Sequence, residues 1–537
     1  MKNGVNYNTF HRRTFLKSLL AIGIFSQVGG LVQSCQEQIK KVLFRITGMN
    51  HILGHRLWAK DFPKVTKEIE VDFLIIGAGI SGLSAARQLK KRGVEDFLVV
   101  EMETTTGGNS NFGQNKYSNY PLGAHYLPLP NFEDKTLLEF LFESKIITHF
   151  ENGKPIFDEN QLCFDPKERL FIRNNWQEDL IPKFGLSNEA EVQFERFFAL
   201  MNELKESKDD QGLYHFMLPL HMGSKSDKFK YLDDMTMKEW LLCQQLQNED
   251  LFWYVDYCCK DDFGLGIEFV SAWAGVFYFA ARKHNTSYTD SVLTWPEGNG
   301  RLKQHLEVGV KDHIKTQQLA FDVENQNDKI EVKVFDDHLQ ETILYKTKQL
   351  ICCTPTFVSS YLFSDRKNLK SFDYAPWFTA TLTLGPVDLN DSYPLCWDNV
   401  IHQGQGLGYI YNQHQSLAQV QEHKVITYYY AFSSSNSKKV RKKLYAMKEE
   451  ELKKLIFEDL NKAHPNIEQH VISVSIFKLG HGMVSPRPGF IFGEEKKRAT
   501  LSNDAKIHFA HSDLSGISVF EEAFHQGVNV VNKIVNS

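Results

Sequence analysis

The pattern of hydrophobic and polar residues is most regular between Val71 and Gly108. The apolar run Val71–Ile76 predicts a buried β-strand, because it is short, rich in β-branched residues and followed by glycine. A helix is predicted from Leu83 to Arg92, and a second apolar run, Phe97–Val100, predicts another strand. This order of strand, glycine turn, helix and strand is typical of a βαβ unit with parallel strands.

The turn between the first strand and the helix has the spacing of a dinucleotide site. Its sequence is Gly77-Ala-Gly79-Ile-Ser-Gly82. Gly77 permits a tight turn, Gly79 lets the backbone approach a pyrophosphate, and Gly82 lets the helix pack closely on the strand. The helix N-terminus then directs its N–H groups at the phosphates. Glu101 follows the second strand, where a carboxylate accepts hydrogen bonds from a ribose.

The residues after Glu101 favour FAD over NAD as the dinucleotide. A second glycine pair, Gly107-Gly108, supplies backbone amides that can close over a pyrophosphate. The chain then runs into loops between Tyr117 and Pro128. An NAD-binding domain would continue with a further βαβ unit instead.

The pattern in the rest of the chain predicts a second domain. Residues 157–251 are polar and helical, whereas Val270–Arg282 is strongly apolar and aromatic. The apolar segment fits a buried core helix, or else a pocket wall in which Trp273 or Tyr278 contacts substrate. Alternation from Tyr374 to Leu384 predicts a strand, and the following segments predict an antiparallel sheet around it.

Composition narrows the class of protein. The 537 residues can bury a large core and predict two domains. A net charge of −5, with 42% hydrophobic and 24% charged residues, is that of a soluble globular protein and gives no reason to expect nucleic-acid binding. The eight cysteines show neither zinc spacing nor a regular disulfide framework, so no metal site is expected.

The N-terminal segment has the pattern of an export signal. Arg12-Arg13-Thr-Phe-Leu-Lys17 is a twin-arginine motif, followed by a moderately apolar run from Ser18 to Val32. The run is short and interrupted by glycine, which favours a signal peptide over a membrane span. Val32-Gln-Ser-Cys35 resembles a lipobox, so Cys35 is either lipidated or part of an ordinary or uncleaved signal.

This motif predicts partners and a location. The predicted partners are the twin-arginine export machinery, a membrane if Cys35 is lipidated, and a small-molecule substrate. The predicted location is the periplasm, or the outer side of a bacterial membrane. The protein is expected to be exported there in its folded form.

Four segments together resemble the flavin-containing amine oxidase and phytoene desaturase superfamily. They are the glycine motif with Glu101, the Gly107-Gly108 pair, Trp295-Pro-Glu-Gly-Asn-Gly300, and Ile507-His-Phe-Ala-His-Ser-Asp513 before a C-terminal helix. The resemblance implies a mixed α/β (α+β) fold. It consists of a Rossmann-like βαβ domain for FAD, discontinuous in sequence, and an inserted substrate domain of antiparallel sheet and helices.

The resemblance also implies the domain boundaries. Residues 1–35 are the signal and 36–67 a polar, partly helical lead-in. The FAD-binding domain takes residues 68–150, 295–365 and 475–537, and the substrate or cap domain takes residues 151–294 and 366–474.

The resemblance also implies the cofactor contacts. Asp513 would hydrogen-bond the ribityl chain or the pyrophosphate of FAD, and the helix after it would direct its N-terminus at the flavin. The complete set of predicted cofactor-binding residues is Gly77, Gly79, Ser81, Gly82, Glu101, Gly107, Gly108, Asn109, Gly123, Ala124 and Asp513.

The implied activity is that of an exported FAD-dependent oxidoreductase, with an amine as one possible substrate. A hydride would pass from the substrate to flavin N5, and oxygen or a quinone would reoxidise the flavin. His125 and His481 are candidates for a base because histidine titrates near neutral pH. Each histidine also fits a structural role, and no catalytic residue is assigned.

Two departures from the superfamily leave the substrate open. The nearest lysine to the predicted strand at Tyr374 is Lys370, where many members have a lysine at the strand's start, and Val519 stands where many have a cage tyrosine. One alternative is a desaturase or isomerase of an apolar, polyene-like substrate. Another is a protein that binds flavin without turnover.

Overall fold

The structure is a computed structural model that describes residues 42–283, 291–326, 328–418 and 421–536. The twin-arginine motif, the apolar run after it and Cys35 lie outside these residues. Among the helices of the described ranges, none is both long enough and apolar enough to cross a membrane.

The strands and helices of the described residues follow in chain order. The strands are β1 (Leu43–Gly48), β2 (Val65–Ile76), β3 (Phe97–Val100), β4 (Phe112–Gln114), β5 (Asn119–Pro121), β6 (Tyr126–Pro128), β7 (Ile147–Glu151), β8 (Lys154–Phe157), β9 (Glu168–Ile172), β10 (Asn175–Glu178), β11 (Val292–Thr294), β12 (Ile314–Lys315), β13 (Gln318–Gln326), β14 (Lys329–Asp336), β15 (Glu341–Cys352), β16 (Tyr374–Leu384), β17 (Asp398–Ile401), β18 (Tyr409–Tyr411), β19 (Lys424–Ala431), β20 (Val471–Val484) and β21 (Ile507–Phe509). The helices are α1 (His51–Ala59), α2 (Ile80–Lys91), α3 (Lys135–Glu143), α4 (Asn188–Glu206), α5 (Met237–Cys243), α6 (Glu249–Phe263), α7 (Ala272–Ala280), α8 (Gly300–Glu307), α9 (Thr356–Leu362), α10 (Ser437–Ala446), α11 (Glu449–Ala463), α12 (Glu494–Ala499) and α13 (Phe520–Asn536).

In the described part of the chain, a seven-stranded sheet contains the predicted βαβ unit. Its strands run in the order β12-β3-β2-β15-β14-β13, and the short β21 also pairs with β15. β2 lies parallel to both β3 and β15, with Ile75 opposite Val99 on one side and Ile351 on the other. Ile75 is fully buried, as expected for a central parallel strand. The sheet therefore joins the first, middle and last parts of the chain.

Helix α2, which follows the glycine turn, is held in place by the C-terminal helix α13. Leu83 and Leu89 of α2 are buried in the same hydrophobic cluster as Val531 of α13. The helices approach most closely at Gly527, where a Cβ would lie 2.1 Å from Ser81 O. The contact therefore requires a residue without a side chain at position 527.

The described residues also contain a mixed sheet of eight strands. Its order is β1-β20-β16-β19-β18-β17-β9-β10. The central β16, antiparallel to β19 and β20, has the bounds predicted from its alternation, and all its residues are buried. Phe378 and Leu382 pack in the core with residues of α10 and α11, whereas Trp377 and Thr379 on the opposite face line a cavity.

The segment 36–67, predicted to be a polar, partly helical lead-in, contains regular structure from Val42 onward. Strand β1 extends the eight-stranded sheet at its edge, parallel to β20, with Ile46 opposite Ile476. Helix α1 follows, and its Leu53 and Leu57 are buried against the seven-stranded sheet. From Val42 onward, the segment belongs to the same compact unit as the residues that follow it.

Helices α4 to α7 form an aromatic core together with Tyr374 of β16 and Val484 of β20. Trp273 of α7 stacks on Phe277 with ring centroids 5.0 Å apart and lies 5.7 Å from the Phe216 ring. Because Trp273 is buried among these rings, it is a core residue. Tyr278, five residues further along α7, lines a cavity instead.

Candidate active site

The turn after β2 leaves a helix N-terminus directed at open space. Helix α2 begins after Gly79, which has no side chain to cap it, and its first turn contains no acidic residue. The end of β3 holds the turn in place, because Gly77 N–H donates a hydrogen bond to Val100 O at 2.8 Å. An uncapped helix N-terminus combines free N–H groups with the positive end of the helix dipole, and so favours an anion.

Two glycines of this turn differ in what surrounds them. A Cβ on Gly79 would meet nothing within 4 Å, so a ligand has room beside its backbone. A Cβ on Gly82 would lie 1.9 Å from Gly77 O, so the turn itself requires glycine there. Between them, Ser81 is 3% exposed, and its Oγ has no hydrogen-bond partner within the described ranges. A phosphate group would occupy the open space and satisfy the buried hydroxyl, so these residues fit a dinucleotide.

The second glycine pair closes the other side of the cleft. Gly107 N–H donates to Ala78 O at 2.8 Å. The next residue in the loop, Asn109, accepts through its backbone oxygen from Ala124 N–H at 2.9 Å, and its side-chain amide donates to Gly482 O. The structure thus brings together the predicted contact regions 77–82, 107–109 and 123–124.

Glu101 lies at the end of β3 and braces the glycine turn. Its Oε2 accepts from Ala78 N–H at 2.6 Å and its Oε1 from Glu103 N–H at 2.9 Å. Burial raises the pKa of Glu101, while these hydrogen bonds oppose the rise. Burial and the nearby charge of Glu101 also raise the pKa of Glu103 to about 7. A carboxylate has about four lone-pair sites, so Glu101 can also accept from a ribose hydroxyl.

Asp513 is held by protein partners in the buried segment between β21 and α13. Its Oδ2 accepts from Thr356 N–H at 2.8 Å and from the Tyr374 hydroxyl, and its Oδ1 lies 3.1 Å from His511 Nδ1. Burial alone would raise the pKa of Asp513, but His511 and these hydrogen bonds lower it. Asp513 therefore fixes the approach to α13, and its contact with a ribityl chain stays a prediction.

Among the cavities in the described part of the chain, one adjoins these loops and a second shares part of its wall. The smaller, of about 120 Å³, is termed the loop cavity because its lining includes Asn109, Gly123 and Ala124. The larger, of about 310 Å³, is termed the acidic cavity because its lining includes Glu168, Asp261 and Asp398. The residues that line both are His125, Tyr126, Pro128, Asp261, Arg282 and Tyr429. The space beside the dinucleotide loops therefore continues into a chamber with acidic walls.

Tyrosine side chains hold two carboxylates at the wall of the acidic cavity. Tyr126 donates its hydroxyl to Asp261 Oδ2 at 2.9 Å, and Tyr257 donates to Asp398 Oδ2 at 3.4 Å. Burial raises the pKa of Asp261 to about 6. Burial is also the main reason that the pKa of Asp398 lies well above its usual value. Both groups therefore hold protons more tightly than in water, and a bound cation would favour their ionised forms.

The walls carry an excess of acidic groups. Counting only described residues, the linings of the two cavities include five carboxylic acids, Glu168, Asp261, Asp262, Asp398 and Glu521, and two cationic side chains, Lys167 and Arg282. Arg282 Nη2 lies 3.3 Å from Glu521 Oε1, and Lys167 Nζ lies 3.4 Å from Glu168 Oε1. When the acids are ionised, the chamber is net negative.

The two candidate histidines lie in different surroundings. His125 lines both cavities, with its ring 4.4 Å from that of Tyr429, and burial lowers its pKa to about 4. His481 stacks on Phe357 at 3.8 Å between centroids, and burial lowers its pKa to about 3. His481 is absent from the lining of both cavities. The geometry thus gives His125 access to a substrate and gives His481 the surroundings of a core residue.

The acidic residues of the chamber were not predicted from sequence. Asp261 and Asp262 lie in the last turn of helix α6, and Asp398 follows Trp397 at the start of β17. Helix α6 also carries Glu249, Asp250, Asp256 and Lys260, so nothing in its sequence marks Asp261 and Asp262 as cavity residues. No local signal connects α6 with β9 and β17, which only the fold brings together.

The departures noted in the sequence can also be placed. Lys370 is exposed and absent from both cavity linings. Val519 and the adjacent Phe520 line the loop cavity, so an apolar surface is present where a cage tyrosine is common.

Comparison with known proteins agrees with this architecture. Residues 75–141 match the NAD(P)-binding Rossmann-like domain family. No curated protein matches the chain. Both the matched range and the loop geometry cover the first part of the dinucleotide cleft.

Solved structures with the same fold include amine oxidases. Putrescine oxidase bound to putrescine has a TM-score of 0.65 at 13% identity, over 88% of this chain and 100% of that one. Cyclohexylamine oxidase from Brevibacterium oxydans IH-35A has a TM-score of 0.62 at 15% identity, over 87% and 99%. A CLA-producing fatty acid isomerase from P. acnes has a TM-score of 0.59 at 14% identity, over 86% and 98%.

These similarities define the fold class. The chain has the mixed α/β fold of the amine oxidase structures, with a Rossmann-like dinucleotide domain and a sheet-and-helix region around a cavity. The fold is consistent with bound FAD and with an oxidoreductase. The same fold also includes an isomerase, so the chemistry must be argued from the cavity.

Proposed function

We propose that this protein is an FAD-dependent oxidoreductase that oxidises an amine. The observation that carries the proposal is the passage from the dinucleotide loops into a chamber lined by carboxylates and aromatic rings. Such a lining suits a positively charged substrate, because carboxylates form strong hydrogen bonds with ammonium groups and aromatic faces attract cations.

The residues of the cleft fit FAD. The N-terminus of α2 and the space beside Gly79 suit the pyrophosphate, Ser81 Oγ is available to donate to it, and Glu101 suits the adenosine ribose. When bound, FAD supplies the acceptor for the hydride of a substrate C–H bond. The chain contributes the binding, the orientation and the removal of a proton.

Asp261 is the residue best placed to receive that proton. It lines both cavities, and its pKa of about 6 lies close to neutral. An ammonium group must lose a proton before its neighbouring C–H bond can be oxidised, and a carboxylate with a raised pKa accepts one more readily than an ordinary aspartate. His125 has a pKa of about 4, so it stays neutral and is the weaker base.

The acidic walls argue against an apolar or anionic substrate. A polyene gains nothing from five carboxylic acids, and the carboxylate of a fatty acid would be repelled by those of the five that are ionised. A protein that bound flavin without turnover would have no use for a charged chamber next to the cofactor. An amine is therefore preferred over both alternatives.

The test is anaerobic titration of the purified holoenzyme with a primary amine and with the alcohol of the same carbon skeleton. We expect a yellow protein whose flavin absorption bleaches with the amine and persists with the alcohol. Asp261→Asn should lower kcat/KM for the amine by about 10- to 100-fold, the range for a hydrogen bond to a charged group. Asp391→Asn, on an exposed loop, is the matched control. A colourless protein that FAD cannot reconstitute, or a flavin that no amine reduces, would contradict the proposal.

The proposed location follows from the N-terminal motif. We propose that the protein leaves the cytoplasm through the twin-arginine route and that Cys35 is its lipid attachment site. The support is Arg12-Arg13 before an apolar run, with Cys35 in a lipobox-like sequence. This route suits a protein that acquires its cofactor before export.

A further inference from the structure

Helix α10 presents an exposed row of lysines that the proposed reaction does not use. The opposite side of the helix is fixed to the fold, because Leu444 is buried and Arg441 Nε donates to Gly480 O at 2.6 Å. The residues on the exposed side are Lys438, Lys439, Lys442 and Lys443. We refer to these four residues as the α10 lysines.

The arrangement of the α10 lysines costs the helix stability. They form two like-charge pairs four residues apart, which repel each other on a helix surface. Two of them also lie in the first turn, where the positive end of the helix dipole disfavours cations. Within the described ranges none of the four forms an ion pair, and the next acids along the chain, Glu449 and Glu450, are paired with Lys453. An anionic surface against this side of α10 would relieve the repulsion.

A row of aromatic rings connects α10 with an exposed part of α1. The Tyr445 ring of α10 lies 4.6 Å from the ring of His51, which lies 5.5 Å from the ring of His55. The His55 ring stacks on Trp58 with centroids 4.0 Å apart. Trp58 is 62% exposed and Ile52, on the same helix, is 75% exposed. Large apolar groups therefore reach solvent beside the α10 lysines.

This combination of side chains suits the surface of a lipid bilayer. Anionic headgroups attract lysine, and the boundary between headgroups and acyl chains favours tryptophan and other large apolar side chains. The lysines alone would suit any polyanion. The exposed Ile52 and Trp58 favour a polyanion with an apolar interior, which a nucleic acid or an acidic protein surface does not offer to Ile52.

The proposed lipid attachment site supports the same occupant. Val42, where the described chain begins, lies seven residues after Cys35. Seven extended residues reach at most about 25 Å, and β1, which leads from there toward α1, adds about 20 Å. A lipid on Cys35 would therefore keep α1 within about 45 Å of the bilayer, near enough for direct contact.

We propose that the α10 lysines, Ile52 and Trp58 together bind the surface of a bilayer that contains anionic phospholipid. This membrane-facing surface is a second contact beside the lipid on Cys35. A lipid tether alone leaves the molecule free to rotate, whereas the second contact selects the side that meets the membrane. The inference goes beyond the proposed function and rests on the proposed location only for the choice of a bilayer.

The test uses the full-length holoenzyme with Cys35→Ser, so that no lipid is attached, and two kinds of vesicle. One kind is phosphatidylcholine alone and the other also contains phosphatidylglycerol. At low salt we expect binding to the anionic vesicles to be at least about tenfold tighter, because each lysine near the surface adds to the attraction. The difference should vanish at about 1 M salt, where charges are screened within about 3 Å. Equal affinity for both vesicles at low salt would overturn the inference.

Lysine variants locate the charge. Replacing Lys442 and Lys443 together by glutamine should weaken binding to anionic vesicles by about tenfold or more and leave binding to neutral vesicles unchanged. The matched control replaces Lys135 and Lys154 by glutamine, which removes the same charge from exposed positions on α3 and β8. The control should bind as the parent protein does. An equal loss in both double variants would show that only net charge matters, and would overturn the assignment of this surface.

The apolar part is tested with Trp58→Ser, which should weaken binding to both kinds of vesicle by about tenfold through lost burial of the ring. Phe184→Ser is its control, because Phe184 is 51% exposed and follows β10, at the opposite edge of the eight-stranded sheet from β1. Unchanged binding by Trp58→Ser would contradict the proposed contact.

Other occupants would give different results. Binding of a labelled oligonucleotide without binding to vesicles, or a stable dimer that Trp58→Ser dissociates, would overturn the choice of a bilayer. Flavin content and amine-dependent bleaching in solution should be the same in all these variants. A flavin that no amine reduces would contradict the proposed function, and the vesicle experiments would still decide the role of this surface.

Discussion

Gly79 and Gly82 lie three residues apart, yet a side chain would affect the protein differently at each. Beside Gly79 the missing Cβ leaves space for a ligand, whereas at Gly82 it leaves space for the oxygen of Gly77. One glycine therefore serves binding and the other serves the fold. The same sequence motif thus combines two physical requirements that can be separated experimentally.

We expect Gly79→Val to abolish FAD binding without unfolding the protein. Valine adopts the extended backbone of Gly79, with φ −69° and ψ −177°, and its Cβ meets no protein atom within 4 Å. Gly82→Ala should instead destabilise the protein by about 1–3 kcal/mol or more, because its Cβ would overlap backbone. Flavin content and denaturant unfolding of the apoproteins distinguish the two outcomes.

A control for this pair is Gly385→Val. A Cβ at Gly385 would lie 3.6 Å from its nearest neighbour, an ordinary contact, and the residue is remote from the glycine loops in sequence. Flavin content should match that of the wild type. Retention of flavin by Gly79→Val would count against the assignment of the cleft.

The carboxyl group of Asp262 makes stability depend on pH. Burial raises its pKa to about 7; Arg282 opposes this rise, and the charges of Asp261 and Glu521 add to it. An acid with a higher pKa in the folded than in the unfolded protein contributes stability at low pH that is lost as the pH rises through the folded value. Asp262→Asn removes this loss, so its Tm should exceed that of the wild type more at about pH 8 than at about pH 5. An equal Tm difference between Asp262→Asn and the wild type at both pH values would contradict the prediction.

At the scale of secondary-structure elements, the packing of α13 against α2 links the C-terminal helix to the glycine turn after β2. We expect Gly527→Ala to lower both the Tm and the affinity for FAD, because its Cβ would lie 2.1 Å from Ser81 O and displace the start of α2. The cost should be about 1–3 kcal/mol of unfolding free energy. Calorimetry and FAD titration would measure the two effects.

Gly54→Ala in α1 is the helical control for that substitution. Its Cβ would lie 3.4 Å from the flexible Met102 Sδ, so alanine should be tolerated there and should even stabilise the helix by up to about 1 kcal/mol. Equal Tm values for Gly527→Ala and the wild type would show that the two helices can separate without cost.

The elements also show which part of the fold the sequence could predict. The βαβ unit and β16 depend on local alternation and turn residues. β3 and β16 have their predicted bounds, whereas β2 begins at Val65, six residues before the predicted start at Val71. The glycine loops at 107–109 and 123–124 were identified because glycine and loop composition are local signals. The chamber was missed because α6, β9 and β17 are far apart in sequence, and only the tertiary fold sets Asp261 near Glu168 and Asp398.

At the scale of the whole molecule, the proposed export signal and the cofactor site together lead to one prediction about location and flavin content. Replacing Arg12 and Arg13 together by lysine should keep the protein in the cytoplasm with its full flavin content, because the motif is an address and lies outside the described fold. Cell fractionation and flavin fluorescence of each fraction would measure this. An unchanged distribution would exclude the twin-arginine route.

The pairing of β21 with β15 has a consequence for the order of synthesis. β21 comes from residues 507–509 and adds to a sheet whose other strands emerge from the ribosome much earlier. Asp513 and the helix that holds α2 follow it. A nascent chain therefore cannot enclose its nucleotide before β21 and α13 have been synthesised, and cofactor insertion must follow their synthesis.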